Sequence, residues 1–159
     1  MKIAVVYYSL DGNCSLVAEA IKNQCNADLI RLHTKDEKSR GKAASMFWGC
    51  GMVFFRKHPP LKPYAFDPSA YDLIILGAPV WAGRPAPPVR TFLSETGITG
   101  KKTAFFVCHA GGIGNAKNKF HALLAGNDVI SEIDFQDPAK SNGEELKQKI
   151  VEWVKGFGN

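Results

Sequence analysis

The sequence contains no run of 18 or more uninterrupted apolar residues, because Lys, Arg or Gly and Pro clusters break every candidate. No membrane-spanning helix is therefore expected. It also lacks a C-x-x-C pair: Cys14, Cys25, Cys50 and Cys108 are scattered, with no histidine at ligand spacing. That pattern argues against a zinc or iron–sulfur site and fits a reducing compartment, where each thiol behaves as a small hydrophobe unless its surroundings activate it. The apolar start, Lys2 to Leu10, is followed by turn chemistry (Asp11-Gly12-Asn13) and not by a small-residue cleavage site. It reads as the first strand of a cytoplasmic protein. There is no internal repeat, low-complexity tract or interdomain linker.

What remains is 159 residues, 45% hydrophobic and 22% charged, the profile of one ordinary domain over 1–159. At that length roughly two-thirds of the unfolded chain's surface can be buried without disulfide or metal staples. The net charge of +5 has a single source. Residues 35–63 hold seven cations (Lys35, Lys38, Arg40, Lys42, Arg56, Lys57, Lys62) against Asp36 and Glu37, and the rest of the chain carries 13 of each sign. A nucleic-acid protein would spread or stripe its excess further, so no nucleic-acid partner is expected.

Hydrophobic patterning alternates strands with helices. Ile3 to Tyr8, Tyr71 to Gly77 and Thr103 to Cys108 are short continuous apolar runs, as expected of strands buried on both faces. Asp28 to His33 and Val129 to Phe135 complete five strands. Gly77-Ala78-Pro79 is expected to turn the backbone out of the sheet, and Pro85, Pro87 and Pro88 to open a helix that Gly97 ends. Leu16, Val17, Ala20 and Ile21 mark the buried face of the first helix, and a helix follows through Phe120 to Leu124. In the last, Ser141-x-x-Glu144 reads as a capping box before Leu146, Ile150, Val151 and Val154. One βα unit per roughly 30 residues is the signature of a parallel, doubly wound sheet. The irregular stretch 35–66 centres on an apolar patch, residues 46–55. It reads either as a broken helix packed on the core or as a flap or partner surface near the site.

In such sheets ligands bind at the carboxyl ends of strands, beside the point where strand order reverses. Three loops end there. The first, Ser9-Leu10-Asp11-Gly12-Asn13-Cys14-Ser15, gathers backbone amides and the positive end of a helix dipole, with Ser9, Asn13 and Ser15 adding side-chain donors. It can hold a phosphate, although a plain βα turn needs the same residue types. It matches neither G-x-x-x-x-G-K-[ST] nor G-x-G-x-x-G. The second, Pro79-Val80-Trp81-Ala82-Gly83, sets Trp81 either as one wall for a flat ring or as a cover for the sheet end. The third, Cys108 to Asn115, is rich in glycine (Gly111, Gly112, Gly114), which permits close backbone approach and also serves plain turns.

Ser-Leu-Asp-Gly-Asn-Cys resembles the phosphate loop of flavodoxins, written [ST]-x-T-G-x-T. Tyr-Asp-Leu-Ile-Ile-Leu-Gly-Ala-Pro-Val-Trp-Ala-Gly, followed by Pro-Ala-Pro-Pro-Val-Arg-Thr-Phe-Leu, is similar to the flavin-ring loop and next helix of that family. The resemblance implies an α/β, flavodoxin-like three-layer doubly wound sandwich. Its five-stranded parallel sheet would have the order 2-1-3-4-5, and its ligand would be FMN. It implies that Ser9 to Ser15 take the phosphate, that Pro79 to Gly83 flank the isoalloxazine, and that Cys108, His109, Gly111, Gly112 and Gly114 close its pyrimidine side. Asp11 and Cys14 depart from the motif's threonines. A carboxylate beside a dianionic phosphate is repulsive, and a thiol is a poorer donor than a hydroxyl. Exposed at a helix N-terminus, Cys14 would have a lowered pKa and be open to oxidation. His109 is placed to donate to the flavin or a substrate, or simply faces solvent.

The activity implied is electron transfer through non-covalent FMN, the flavin carrying the chemistry with no catalytic side chain. The partners are a redox protein, or NAD(P)H and a small acceptor such as a quinone. The rival reading is a fold with weakened FMN binding that serves as an interaction module through residues 46–55, the same patch offering a surface for a homodimer.

Overall fold

The computed structural model describes residues 1–35 and 58–158. The apolar patch 46–55 and most of the basic segment lie outside the described residues, and with them Cys50 and the homodimer surface.

Among the described residues, five parallel strands form the sheet: β1 (Ile3–Tyr8), β2 (Asp28–Leu32), β3 (Leu73–Trp81), β5 (Lys102–His109) and β6 (Asp128–Gln136). Their order is β2-β1-β3-β5-β6, which is the expected 2-1-3-4-5 once the two-residue β4 (Arg84–Pro85), paired only to β3, is set aside. Both faces are covered. On one, Val5, Tyr7, Ile75 and Phe106 meet Val17 and Ile21 of α1 (Asn13–Cys25) and Leu146, Ile150 and Trp153 of α4 (Gly143–Lys155). On the other, Val6, Tyr8, Leu76 and Phe105 meet Val89 and Phe92 of α2 (Pro87–Thr96) and Phe120 of α3 (Ala116–Leu123). Alternate residues of each central strand thus enter different cores, which is why those strands read as unbroken apolar runs.

Several expectations are corrected. β3 does not leave the sheet at Gly77-Ala78-Pro79. It stays in register with β5 through Pro79↔Cys108 and runs on to Trp81. Gly77 is there for packing, since a Cβ on it would lie 2.1 Å from Cζ of Phe106. Pro85 belongs to β4, facing Val80, and α2 starts at Pro87. The cause is the turn at Ala82 and Gly83, whose φ values of 48° and 68° make a tight two-residue hairpin. A proline is tolerated on its edge strand because no ladder N–H is required there.

The stripe of α1 is Cys14, Val17, Ala18 and Ile21, while Leu16 is 43% exposed. Positions i, i+3, i+4 and i+7 from Cys14 face the sheet, and Leu16 falls beside that arc. The capping box is displaced as well. Asn142, not Ser141, caps α4, its Oδ1 accepting from the Glu144 amide at 3.0 Å, whereas Ser141 donates to the Pro138 carbonyl at 2.8 Å. Trp153, absent from the expected stripe, is buried with its indole N–H donating to Ser131 Oγ at 2.8 Å.

Candidate functional site

The carboxyl ends of the adjacent strands β1, β3 and β5 lie at one sheet edge, and the three loops singled out above leave from it. β1 is paired on its two sides with β2 and β3, so the order reverses beside the first loop.

That loop is held from within. Ser9 is buried, and its Oγ accepts from the amides of Gly12 at 3.2 Å and Ser15 at 3.3 Å. Gly12, with φ 93°, caps α1 and supplies the left-handed turn from which the helix starts. The carboxylate of Asp11 is exposed and folds back, accepting from the Asn13 amide at 3.1 Å and from Asn13 Nδ2 at 2.9 Å. It therefore engages a backbone donor that an anionic ligand at this helix end would use. Asn13 Oδ1 in turn accepts from the Ala139 amide at 3.0 Å, latching the loop to the helical turn Pro138–Lys140 beyond β6. Arg31 Nη2 donates to the Ser9 carbonyl at 3.1 Å. Leu10 is half-buried. Ser15 Oγ is buried with no hydrogen-bond partner, in the first turn of the helix where an anion is favoured.

Cys14 points the other way. Its thiol is wholly buried beneath the loop, in contact with Cys108, and burial first, then the Cys108 thiol, push its pKa well up. The exposure on which a lowered pKa at this helix N-terminus depended is absent, and desolvation moves the thiol the other way. Cys14, Cys25 and Cys108 are all free. In the native protein, Cys25, which is half-buried, is expected to be alkylated before Cys14 and Cys108, as read by peptide mapping after a timed iodoacetamide pulse. Early labelling of Cys14 would contradict its burial.

In the second loop, Pro79 is buried, Val80 and Trp81 are half-buried, and Ala82 stands exposed at the hairpin tip beside Gly83. The Trp81 ring meets Tyr8 edge-on, with centroids 5.7 Å apart and planes at 89°. The third loop meets the second backbone to backbone at these glycines, since a Cβ on Gly114 would lie 2.9 Å from Cα of Gly83. Gly111 and Gly112 are exposed, with open space where a side chain would stand. Cys108 is buried against α1, and His109, on the opposite face, is not the solvent-facing residue of one expectation: its side chain is 9% exposed. His109 Nε2 lies 3.3 Å from Asp134 Oδ2, and Lys117 Nζ lies 2.8 Å from Asp134 Oδ1. The Lys117 hydrogen bond, and after it His109, hold the Asp134 carboxyl below its ordinary range, partly offset by desolvation.

Asp134 and Lys117 escaped sequence reasoning, although the signal was present. Asp134 sits opposite Val107 in the β5–β6 register, so strand alternation sets it on the same face as His109.

The family model for flavodoxin matches residues 2–157. The chain belongs to the flavodoxin family. No curated protein matches the sequence. Among solved structures, a flavoprotein from Lactobacillus acidophilus in complex with FMN is 22% identical, with a TM-score of 0.76 over 96% of this chain and 98% of that one. A WrbA-like flavodoxin from Agrobacterium tumefaciens is 18% identical (TM-score 0.62, 97% and 95% covered). Oxidised flavodoxin 1 from Bacillus cereus is 21% identical (TM-score 0.59, 98% of each chain). At such identities these flavodoxin-like structures establish the shared three-layer fold. Among the described residues, no helix is long and apolar enough to cross a membrane.

Proposed function

We propose that this flavodoxin-family protein is an FMN-dependent redox protein. The observation that carries the reading is the convergence of three loops at the switch point, one of them holding an unpartnered buried hydroxyl, Ser15 Oγ, in the first turn of α1. A buried hydroxyl without a partner is costly and suits a site built for an anion. The backbone approach of Gly83 and Gly114 and the half-buried Trp81 suit a flat ring. The FMN carried by the Lactobacillus acidophilus flavoprotein supports the same choice of ligand.

FMN, when bound, supplies one- or two-electron redox chemistry. The protein's part is to hold and enclose it. Ser15 Oγ and the N-terminal end of α1 would take the phosphate, with the Asn13 amide joining once Asp11 releases it, while the Ser9 hydroxyl holds the Gly12 and Ser15 amides and keeps the loop in shape from beneath. Trp81 would form one wall, with Pro79 to Gly83 and Cys108 to Gly114 framing the ring. The partners are a redox protein, or NAD(P)H and a small acceptor such as a quinone, within the cytoplasm. Oxidation of NADH or NADPH by quinone without added reductase distinguishes the enzyme from the carrier.

The deciding experiment is the visible absorption spectrum of the purified protein after incubation with FMN and removal of free ligand. Stoichiometric flavin bands are expected. A colourless protein would overturn the proposal and favour the interaction-module reading, for which Asp11 is the specific support. Asp11→Thr, which removes the carboxylate from the Asn13 amide, is expected to tighten FMN binding about fivefold at low salt. The gain should shrink at high ionic strength, since exposed charges are screened there. Calorimetric titration at two salt concentrations reads both effects.

A further inference from the structure

His109 occupies a position with unusual hydrogen-bonding demands. It closes β5 and opens the glycine loop, its carbonyl accepting from the Asp137 amide at 2.8 Å, while Gln136 Nε2 donates to the Ala110 carbonyl at 3.1 Å. The ring is therefore carried on a backbone clamped to β6. Its Nε2 faces Asp134 Oδ2, and Asp134 is fixed as a carboxylate by the ammonium of Lys117. Lys117 also reaches Glu132 Oε1 at 3.6 Å, and Glu132 pairs with His121. A carboxylate only accepts, so Nε2 carries the N–H toward Asp134, and in the neutral form of the imidazole that leaves Nδ1 as a bare lone pair. That Nδ1 is buried and has no hydrogen-bond partner. An acceptor enclosed in this way is a standing cost unless a donor reaches it.

We propose that His109 is a fixed hydrogen-bond acceptor of the site, its Nδ1 receiving an N–H or O–H of the bound ligand, with Asp134 and Lys117 as positioning residues that hold the ring in this tautomer. The inference rests on the FMN reading and specifies the recognising chemistry. A phosphate dianion has no proton to give, so Nδ1 selects the remainder of the ligand. The rim of an oxidised isoalloxazine offers one N–H, its imide, among several acceptors, and the ribityl chain offers hydroxyls. The chain directly after His109 includes Gly111 and Gly112, both exposed and with open space where a side chain would stand, and glycine backbone adjusts readily to admit a donor.

Two measurements test this. In the ligand-free protein, long-range ¹H–¹⁵N correlation should show His109 with Nε2 protonated and Nδ1 bare. Asp134→Asn should shift the ring toward a tautomer mixture, which a merely structural carboxylate would not do. A protonated Nδ1 in the wild type would overturn the proposal whether or not FMN binds. In titrations, His109→Phe should bind FMN about tenfold more weakly. The wild type should lose a similar factor with either N3-methyl FMN or a ribityl-deoxy analogue, and His109→Phe should not discriminate; the analogue that loses affinity identifies the donor. Equal FMN affinity of wild type and His109→Phe would overturn the proposal while leaving the FMN reading intact. Failure of the wild type to take up FMN would defeat that reading instead.

Discussion

Gly77→Ala is expected to destabilise the protein by about 3 kcal/mol, read as a lowered midpoint in urea denaturation. The new methyl would meet Phe106 at 2.1 Å from Cζ, 2.5 Å from Cε1 and 2.8 Å from Cε2. Both residues lie on central strands in direct register, and Phe106 is fully buried, so neither the backbone nor the ring has a free direction in which to move. Phe106→Leu should be destabilising alone yet should recover part of the loss in the Gly77→Ala background. A coupling of about 1 kcal/mol or more in that double-mutant cycle is the signature of direct overlap. An unchanged midpoint for Gly77→Ala would mean that the ring steps aside freely, and the packing role assigned to the glycine would fall.

Trp81→Ala should weaken FMN binding by about 1–3 kcal/mol, the range for an aromatic side chain stacking on a planar base. The indole is half-buried and braced edge-on by Tyr8, so its orientation is set before a ligand arrives and little ordering cost is added on binding. Trp81→Phe should retain much of the affinity. Thermal unfolding of ligand-free Trp81→Ala, measured alongside, separates lost stacking from lost packing against Tyr8. Wild-type FMN affinity in Trp81→Ala would remove the tryptophan from the ring site.

The β1, β3 and β5 runs were legible because each buries both faces, and burial on both faces leaves a mark in consecutive residues. The match at β1 is complete, Ile3 to Tyr8 in expectation and in structure. Gly77-Ala78-Pro79 misled because glycine and proline signal turns locally. The reason for Gly77 is instead a phenylalanine 29 positions away, across a strand pairing that no local pattern encodes. Leu16 and Ser141 were off by a residue or so for a related cause: hydropathy and capping patterns fix a helix's existence better than its rotation or first residue. At the site, residue types at the strand ends located the three loops. The burial of Cys14 and the pairing of His109 with Asp134 depend on which face of a strand or helix each occupies, and that emerges only from the register.

The contact between Gly83 and Gly114 has a mechanical meaning. With no side chain between them, the Trp81 hairpin and the glycine loop pack backbone to backbone into one jaw. Their backbones should therefore open as a unit, with amide hydrogens at 81–84 and 111–115 exchanging at matched rates and slowing together when a ligand is clasped. At this seam two glycines let the backbones close in to a separation that a side chain on Gly114 would forbid.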